Sequence, residues 1–171
     1  ENVFLSKDDY SANFIKGDLI DLKFDFEELV REYDVIFNCA GELHDESLMY
    51  SLHVEATEQM ISACKKIARV QHRSIRWVQL SSVGAYGQSI PRGNALRFVT
   101  EETFPEPDGE YEVTKTLADE IVMNAADNFF AYSILRPSNV FGSNMPNNSI
   151  RQLGKMIQKG LFFYIGKPGT I

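Results

Sequence analysis

Three side chains in one stretch have the types and spacing to move a proton. An apolar run, Trp77-Val78-Gln79-Leu80, ends in Ser81-Ser82, and Tyr111 follows 29 residues after Ser82 (111 − 82), with Lys115 four further on. Residues four apart share one face of a helix. A free phenol titrates near about 10, too high for a base at neutral pH. A cation held nearby favours the phenolate and lowers that value. Tyr111 would then remove or return a proton on a substrate hydroxyl or carbonyl, and Ser82 would hydrogen-bond the same oxygen. The bare Tyr-x-x-x-Lys pattern equally describes a partly exposed Tyr beside a solvated Lys. The hydroxyl pair upstream favours chemistry, as does the stretch between. That stretch carries Gly87, Pro91, Gly93, Pro105, Pro107, Asp108 and Gly109, too many breakers for a regular element.

The flanking elements alternate. Val3-Phe4-Leu5 reads as the tail of a strand and Asn13-Phe14-Ile15-Lys16 as a second strand, closed by Gly17-Asp18. Phe26, Leu29 and Val30 recur at helical spacing within residues 24–33. Residues 34–40 form a near-continuous apolar run ended by Gly41, as expected of a strand covered on both faces. Met60, Ile61, Cys64, Ile67 and Ala68 line one stripe of a long helix over 48–69. Strands follow over 75–80 and 129–135, and helices over 114–126, with Leu117, Ala118, Ile121 and Val122 inward, and over 150–159. This order predicts an α/β fold, a Rossmann-like doubly wound parallel sheet with helices on both faces, as one domain over 1–171. Ligands of such sheets collect at the carboxyl ends of strands. The residues there are Gly17-Asp18, Ala40-Gly41, Ser81-Ser82 and Pro137-Ser138-Asn139, each small or polar, although any one could simply make a turn.

Composition narrows the function classes. The 171 residues suit one domain with a sizeable core. A net charge of −7 argues against a nucleic-acid partner, which would want a basic face. Lys65, Lys66 and Arg69 read as the solvated side of their helix. Cys39 and Cys64 lack metal-ligand spacing and read as small buried hydrophobes in a reducing compartment. No metal site is expected. No apolar run approaches about 18 residues, so no membrane span is expected, and a cytoplasmic location follows by default. Asn147-Asn148-Ser149 fits a glycosylation sequon but is discounted, since nothing else suggests secretion. The chain begins abruptly at Glu1 and stops at Lys167-Pro168-Gly169-Thr170-Ile171, as if approaching another strand, so both ends are expected to be cut points.

Six segments, in order and correctly spaced, resemble the extended short-chain dehydrogenase/reductases, in particular the NAD-dependent nucleotide-sugar epimerase/dehydratase group. They are residues 17–21, 34–41, 53–57, 80–87, 111–115 and 135–142, covering nearly the whole chain. The resemblance implies that Ser82, Tyr111 and Lys115 are a catalytic triad. In it Tyr111 is the acid/base, and Lys115 lowers its pKa and holds the nicotinamide ribose. Ser82 is preferred to Ser81 because it stands four before Tyr86. The resemblance further puts Asp18 and Leu19 against the adenine. It places Cys39, Ala40, Gly41, Ser81, Pro137 and Ser138 along the cofactor, and Val83, Gly84 and Asn139 at the sugar nucleotide. It also implies a homodimer through the helices over 48–69 and 111–126, and a role in polysaccharide biosynthesis.

This sequence departs from the group's pattern in three ways. The glycine-rich fingerprint that grips the pyrophosphate is absent. The expectation is that the intact protein is longer or that this chain binds the dinucleotide weakly. His53 stands where the group usually has Asn and Ala56 where it has Gly. His53 is thus either a cofactor contact or a buried structural histidine. A C-terminal substrate domain would follow Ile171. Val83-Gly84, in place of the acidic pair that dehydratases carry after the hydroxyl residue, points to 4-epimerisation of a nucleotide sugar by hydride transfer to and from C4. The alternatives are an NAD(P)H-dependent ketone or 4-ketosugar reductase and a non-catalytic dinucleotide-binding scaffold. NAD is the expected cofactor. Ser6-Lys7, lacking an acid for the ribose hydroxyls, tilts toward NADP if residues 3–5 end the second strand.

Overall fold

The structure, a computed structural model, describes residues 13–87, 97–142, 149–161 and 163. Val3-Phe4-Leu5, Ser6-Lys7, Pro91, Gly93 and the two asparagines of the sequon lie outside the described residues. The chain divides into two compact units, Glu1–Arg136 and Pro137–Ile171.

The first unit holds the sheet. Helix α1 spans Phe26–Val30, capped by Asp25, whose carboxylate accepts from Glu28 N. Strand β1 is Val35–Asn38 and helix α2 is Glu46–Tyr50. A π-helical turn, Ser51–Glu55, leads into α3, Ala56–Val70. Strand β2, Ile75–Leu80, is followed by a 3₁₀ turn over Val83–Tyr86. Helix α4, Glu110–Asn124, precedes strand β3, Phe130–Leu135. The three strands are parallel in the order β1-β2-β3, with Ile36 opposite Trp77 and Trp77 opposite Tyr132.

The register puts Ile36, Asn38, Ile75, Trp77, Gln79 and Phe130 on one face. Against that face pack Phe26, Val30, Met60, Ile61, Cys64, Ile67, Ala68 and Val122, all buried. The stripe expected of α3 is therefore the one that meets the sheet. Ala118 and Val122 of α4 are buried, while Leu117 and Ile121 are half-buried. On the other face Phe37 and Leu135 are 67% and 51% exposed. Arg73 ties the α1 end to the start of β2, donating to Tyr33 O at 2.7 Å, Asp34 Oδ1 at 2.6 Å and Arg31 O at 2.9 Å.

Several expectations need correction. Residues 13–16 form no strand among the described residues, where they are exposed. The helix expected over 24–33 is a single turn and a half, because Asp25 starts it late and the chain must turn at Tyr33 into β1. Cys39 is exposed rather than buried, since it stands just past the end of β1, whereas Cys64 is buried and its thiol is pushed up to about 12 by that burial. Lys65 and Arg69 pair with Asp127 and Lys66 with Glu27, so these cations are partnered rather than simply solvated. Among its described residues the second unit holds one helix, α5 (Ser149–Gln158), followed by Gly160 at φ +67°. Its Ile150, Leu153, Met156 and Ile157 are between 43% and 54% exposed. No helix among the described residues is long and apolar enough to cross a membrane.

Trp77 has no exposed surface, and its indole N–H donates to Gln79 Oε1 at 2.9 Å. Trp77→Ala should cost about 3–5 kcal/mol of stability, read as a lowered urea midpoint. A loss below about 1 kcal/mol would contradict the packing described.

Candidate active site

The site begins where β1 stops. Asn38 is buried and uses its whole amide: Nδ2 donates to Thr57 Oγ1 and to Gln79 Oε1, each at 3.1 Å, and Oδ1 accepts from Ala40 N at 3.2 Å. The strand end is thereby fixed to α3 and β2, and the backbone of Cys39, Ala40 and Gly41 leaves in one direction. Glu42 closes the loop by accepting from Leu43 N (2.8 Å), His44 N (2.7 Å) and Asp45 N (3.2 Å). These three N–H groups hold its carboxyl below the usual range.

His53 joins that loop to α4. Its Nε2 accepts from Glu42 N at 2.9 Å, so Nδ1 carries the proton and donates to Thr114 Oγ1 at 2.8 Å. Thr114 in turn donates to Glu110 O at 2.7 Å. Every donor in the chain has an acceptor. His53 is 2% exposed and its pKa falls to about 4, through burial first and then the neighbouring Lys115 charge, so the ring is neutral. Both ring nitrogens are used within the protein, and His53 acts here as a structural bridge. The Tyr111 ring stands edge-on to it, with centroids 5.4 Å apart.

Lys115 lies one turn along α4, 3% exposed, and its Nζ donates to Ala40 O at 3.2 Å. Burial lowers its pKa, while Asp119 pulls it back up. Tyr111 is half-buried, and its phenol is pushed up by burial and further by Glu112. Burial and then Glu112 set that direction, while the Lys115 ammonium donates to the Ala40 carbonyl. Tyr111 therefore holds its proton at neutral pH.

The two serines differ. Ser81 is buried and spends its hydroxyl proton on Asp119 Oδ2 at 2.8 Å. Ser82 is half-buried and caps the 3₁₀ turn by accepting from Gly84 N at 3.0 Å, which leaves its own O–H available. Gly87, at φ +74°, ends this turn with the Glu106 carbonyl occupying the space of a side chain.

Below the site, Asp119 has no exposed surface and receives Arg136 Nε and a second guanidinium nitrogen, each at 3.0 Å, besides Ser81. Arg136 also donates to Tyr86 Oη at 2.9 Å. This node ties α4 to the carboxyl ends of β2 and β3. Asp119 Oδ1 is buried without a partner, and burial raises the carboxyl against the pull of Ser81 and Arg136.

Four residues from three segments thus converge: Ala40 after β1, Ser82 after β2, and Tyr111 and Lys115 on α4. Val83 and Gly84 lie in the turn after Ser82, and Cys39 and Gly41 flank Ala40. Asp18 and Leu19 stand apart: Asp18 is exposed and its carboxylate accepts from Ile20 N at 3.1 Å, making a turn, while Leu19 packs on the core. Pro137, Ser138 and Asn139 open the second unit. Thr114, Asp119, Arg136 and Asn38 escaped the sequence reading. Thr114 and Asp119 were detectable as a polar residue between Tyr111 and Lys115 and an acid four after Lys115, each on the inward side of α4.

The family model described as "NAD dependent epimerase/dehydratase family" matches residues 2–163. Among curated proteins nothing matches. Three solved structures share the fold. A UDP-glucuronic acid 4-epimerase from Bacillus cereus, in complex with UDP-glucuronic acid and NAD, is 24% identical over 85% of this chain and 45% of its own, with a TM-score of 0.66. A putative epimerase from Burkholderia cenocepacia J2315 is 18% identical over 86% and 46%, with a TM-score of 0.69. A UDP-N-acetylglucosamine 4-epimerase from Methanobrevibacter ruminantium M1, in complex with UDP-N-acetylmuramic acid, is 23% identical over 85% and 47%, with a TM-score of 0.64. The chain spans less than half the length of these structures.

The neutral state of His53 has a measurable consequence. Its folded pKa of about 4 lies below its ordinary value, so the unfolded chain takes up the proton first. Stability from this group is complete above about pH 6.5 and declines as pH falls toward 4, by at most about 3 kcal/mol. His53→Gln should lose less stability than the wild type between pH 7 and pH 4.5, read as urea midpoints at the two pH values. Identical losses in both proteins would refute the buried neutral ring.

Proposed function

The chain belongs to the NAD-dependent epimerase/dehydratase family, and on that premise we propose that it supplies the catalytic half of a nucleotide-sugar 4-epimerase using NAD. The observation that carries this reading is the placement of Lys115. A buried ammonium stands at the carboxyl end of β1, 3.2 Å from Ala40 O and one turn beyond Tyr111. The Ser82 turn closes the same corner.

The donor set fits a dinucleotide. One Lys115 N–H is taken by Ala40 O, and two remain for vicinal hydroxyls such as those of a ribose. Cys39, Ala40 and Gly41 offer a low wall beside it, where a Cβ on Gly41 would meet only His53 Nε2 at 3.8 Å. When bound, the nicotinamide would supply the hydride acceptor and donor for the sugar carbon. The residues of this chain do the rest. Ser82 donates its free O–H to the reacting oxygen. Tyr111, protonated as it stands, returns a proton to that oxygen, and takes one when a cation comes near enough to favour its phenolate. Lys115 is that cation. Pro137, Ser138 and Asn139 belong to the same proposal as cofactor and sugar contacts, and Asp18 with Leu19 as adenine neighbours. The proposal extends to a homodimer formed by the outer faces of α3 and α4.

The test uses the full-length protein with NAD and UDP-glucose, followed by nuclear magnetic resonance. Interconversion with UDP-galactose and no net consumption of cofactor is the expected result. Conversion that requires stoichiometric reduced cofactor would replace the epimerase by the reductase reading. Tyr111→Phe should reduce kcat by about 100-fold or more. Unchanged turnover in that variant would remove Tyr111 from the chemistry.

A further inference from the structure

One carboxylate at this corner has no partner. Glu112, next to Tyr111 on α4, is half-buried. A Cβ built on Gly84 would lie 2.6 Å from Glu112 Cγ, 3.3 Å from its Oε1 and 3.2 Å from Ser82 Oγ. The Glu112 side chain thus fills the space that a side chain at 84 would take, on the same side of the turn as the Ser82 hydroxyl. Its other oxygen, Oε2, would be 2.7 Å from a Cβ on Gly109. Glu112 stands at the third position of α4, where a glutamate commonly bonds back to the capping N–H. That bond is not made. Gly109 caps α4 without a side-chain contact, and no hydrogen bond or ion pair to the Glu112 carboxylate occurs among the described residues.

The cations nearby are committed elsewhere, Lys115 to Ala40 O and Arg136 to Asp119 and Tyr86. A half-buried carboxylate with open lone pairs beside a hydroxyl suits a ligand rich in O–H donors. It repels a second carboxylate.

We propose that Glu112 sets sugar specificity at this site, accepting hydrogen bonds from the hydroxyls of an uncharged nucleotide-linked sugar and excluding a sugar that carries its own carboxylate. The inference rests on the nucleotide-sugar reading above. It separates this chain from a site that receives a uronic acid, the sugar present in the Bacillus cereus complex.

The experiment measures kcat/KM of the full-length protein with UDP-glucose and with UDP-glucuronate, for wild type, Glu112→Gln and Glu112→Asp. The wild type should prefer UDP-glucose. Glu112→Gln, nearly isosteric, should raise the glucuronate-to-glucose ratio about tenfold, the scale of a like-charge repulsion in a partly solvated site. Glu112→Asp, which keeps the charge, should retain the wild-type preference. Calorimetric binding of both ligands should show the same shift in affinity ratio, independent of turnover. A ratio unchanged by Glu112→Gln, or a wild type that prefers the glucuronate, overturns the role of Glu112 while turnover of UDP-glucose leaves the epimerase reading standing. Failure to bind or convert either sugar overturns both.

Discussion

The site depends on one chain of hydrogen bonds, from Glu42 N–H through His53 and Thr114 to the Glu110 carbonyl. It joins the loop after β1 to the first turn of α4, elements with no other polar tie at that level except Lys115 and Ala40. A buried imidazole can serve this way only if each nitrogen has the right partner, because a half-satisfied polar network in a core is worse than an apolar one. Here the backbone N–H fixes the tautomer and the threonine takes the proton. The π-helical turn at Ser51–Glu55 matters for the same reason, since the extra residue per turn carries His53 inward between α2 and α3. With the loop and the helix locked together, Ala40 and Lys115 face each other at a set distance.

A second buried node works from the opposite side. Asp119 holds Ser81 and Arg136, and Arg136 holds Tyr86, so α4, the β2 end and the β3 end are clamped around one carboxylate. Its charge also opposes the cost of burying Lys115 four residues before it on the same helix. The division of labour between Ser81 and Ser82 follows from this. The first hydroxyl is consumed in holding the sheet to the helix, and only the second, turned into the 3₁₀ corner, keeps a free proton.

What was legible in the sequence was whatever periodicity and strand ends encode. The three strands, α3 with its apolar stripe and α4 were readable because burial on one face forces a regular recurrence of apolar residues. The placement of Tyr111 and Lys115 one turn apart on α4 was readable from their spacing alone. The strand expected at 13–16 is not among the described ones: a short apolar run has no intrinsic partner, and none of the described strands pairs with it. Cys39 misled because it sits in an apolar run, 34–40, whose strand ends two residues earlier, at Asn38. The bridges by His53, Asp119 and Asn38 join residues 61, 38 and 41 positions apart, and such contacts leave no trace in local pattern.

Spacing also proves a poor guide to proton affinity. Tyr111 and Lys115 lie on one helix face, yet burial and Glu112 raise the phenol, and the amine is drawn to Ala40 O. An i, i+4 pair guarantees a shared face, while the charge effect depends on where the flexible amine points. On α4 its Nζ donates to Ala40 O, in the loop that the Asn38 and His53 networks hold. The contact that engages Lys115 and the burial that raises the Tyr111 phenol are thus separate features of one corner. Under the proposed reading, base behaviour of the phenol calls for a positive charge close enough to favour the phenolate, whereas burial and Glu112 shift the phenol of the folded chain the other way.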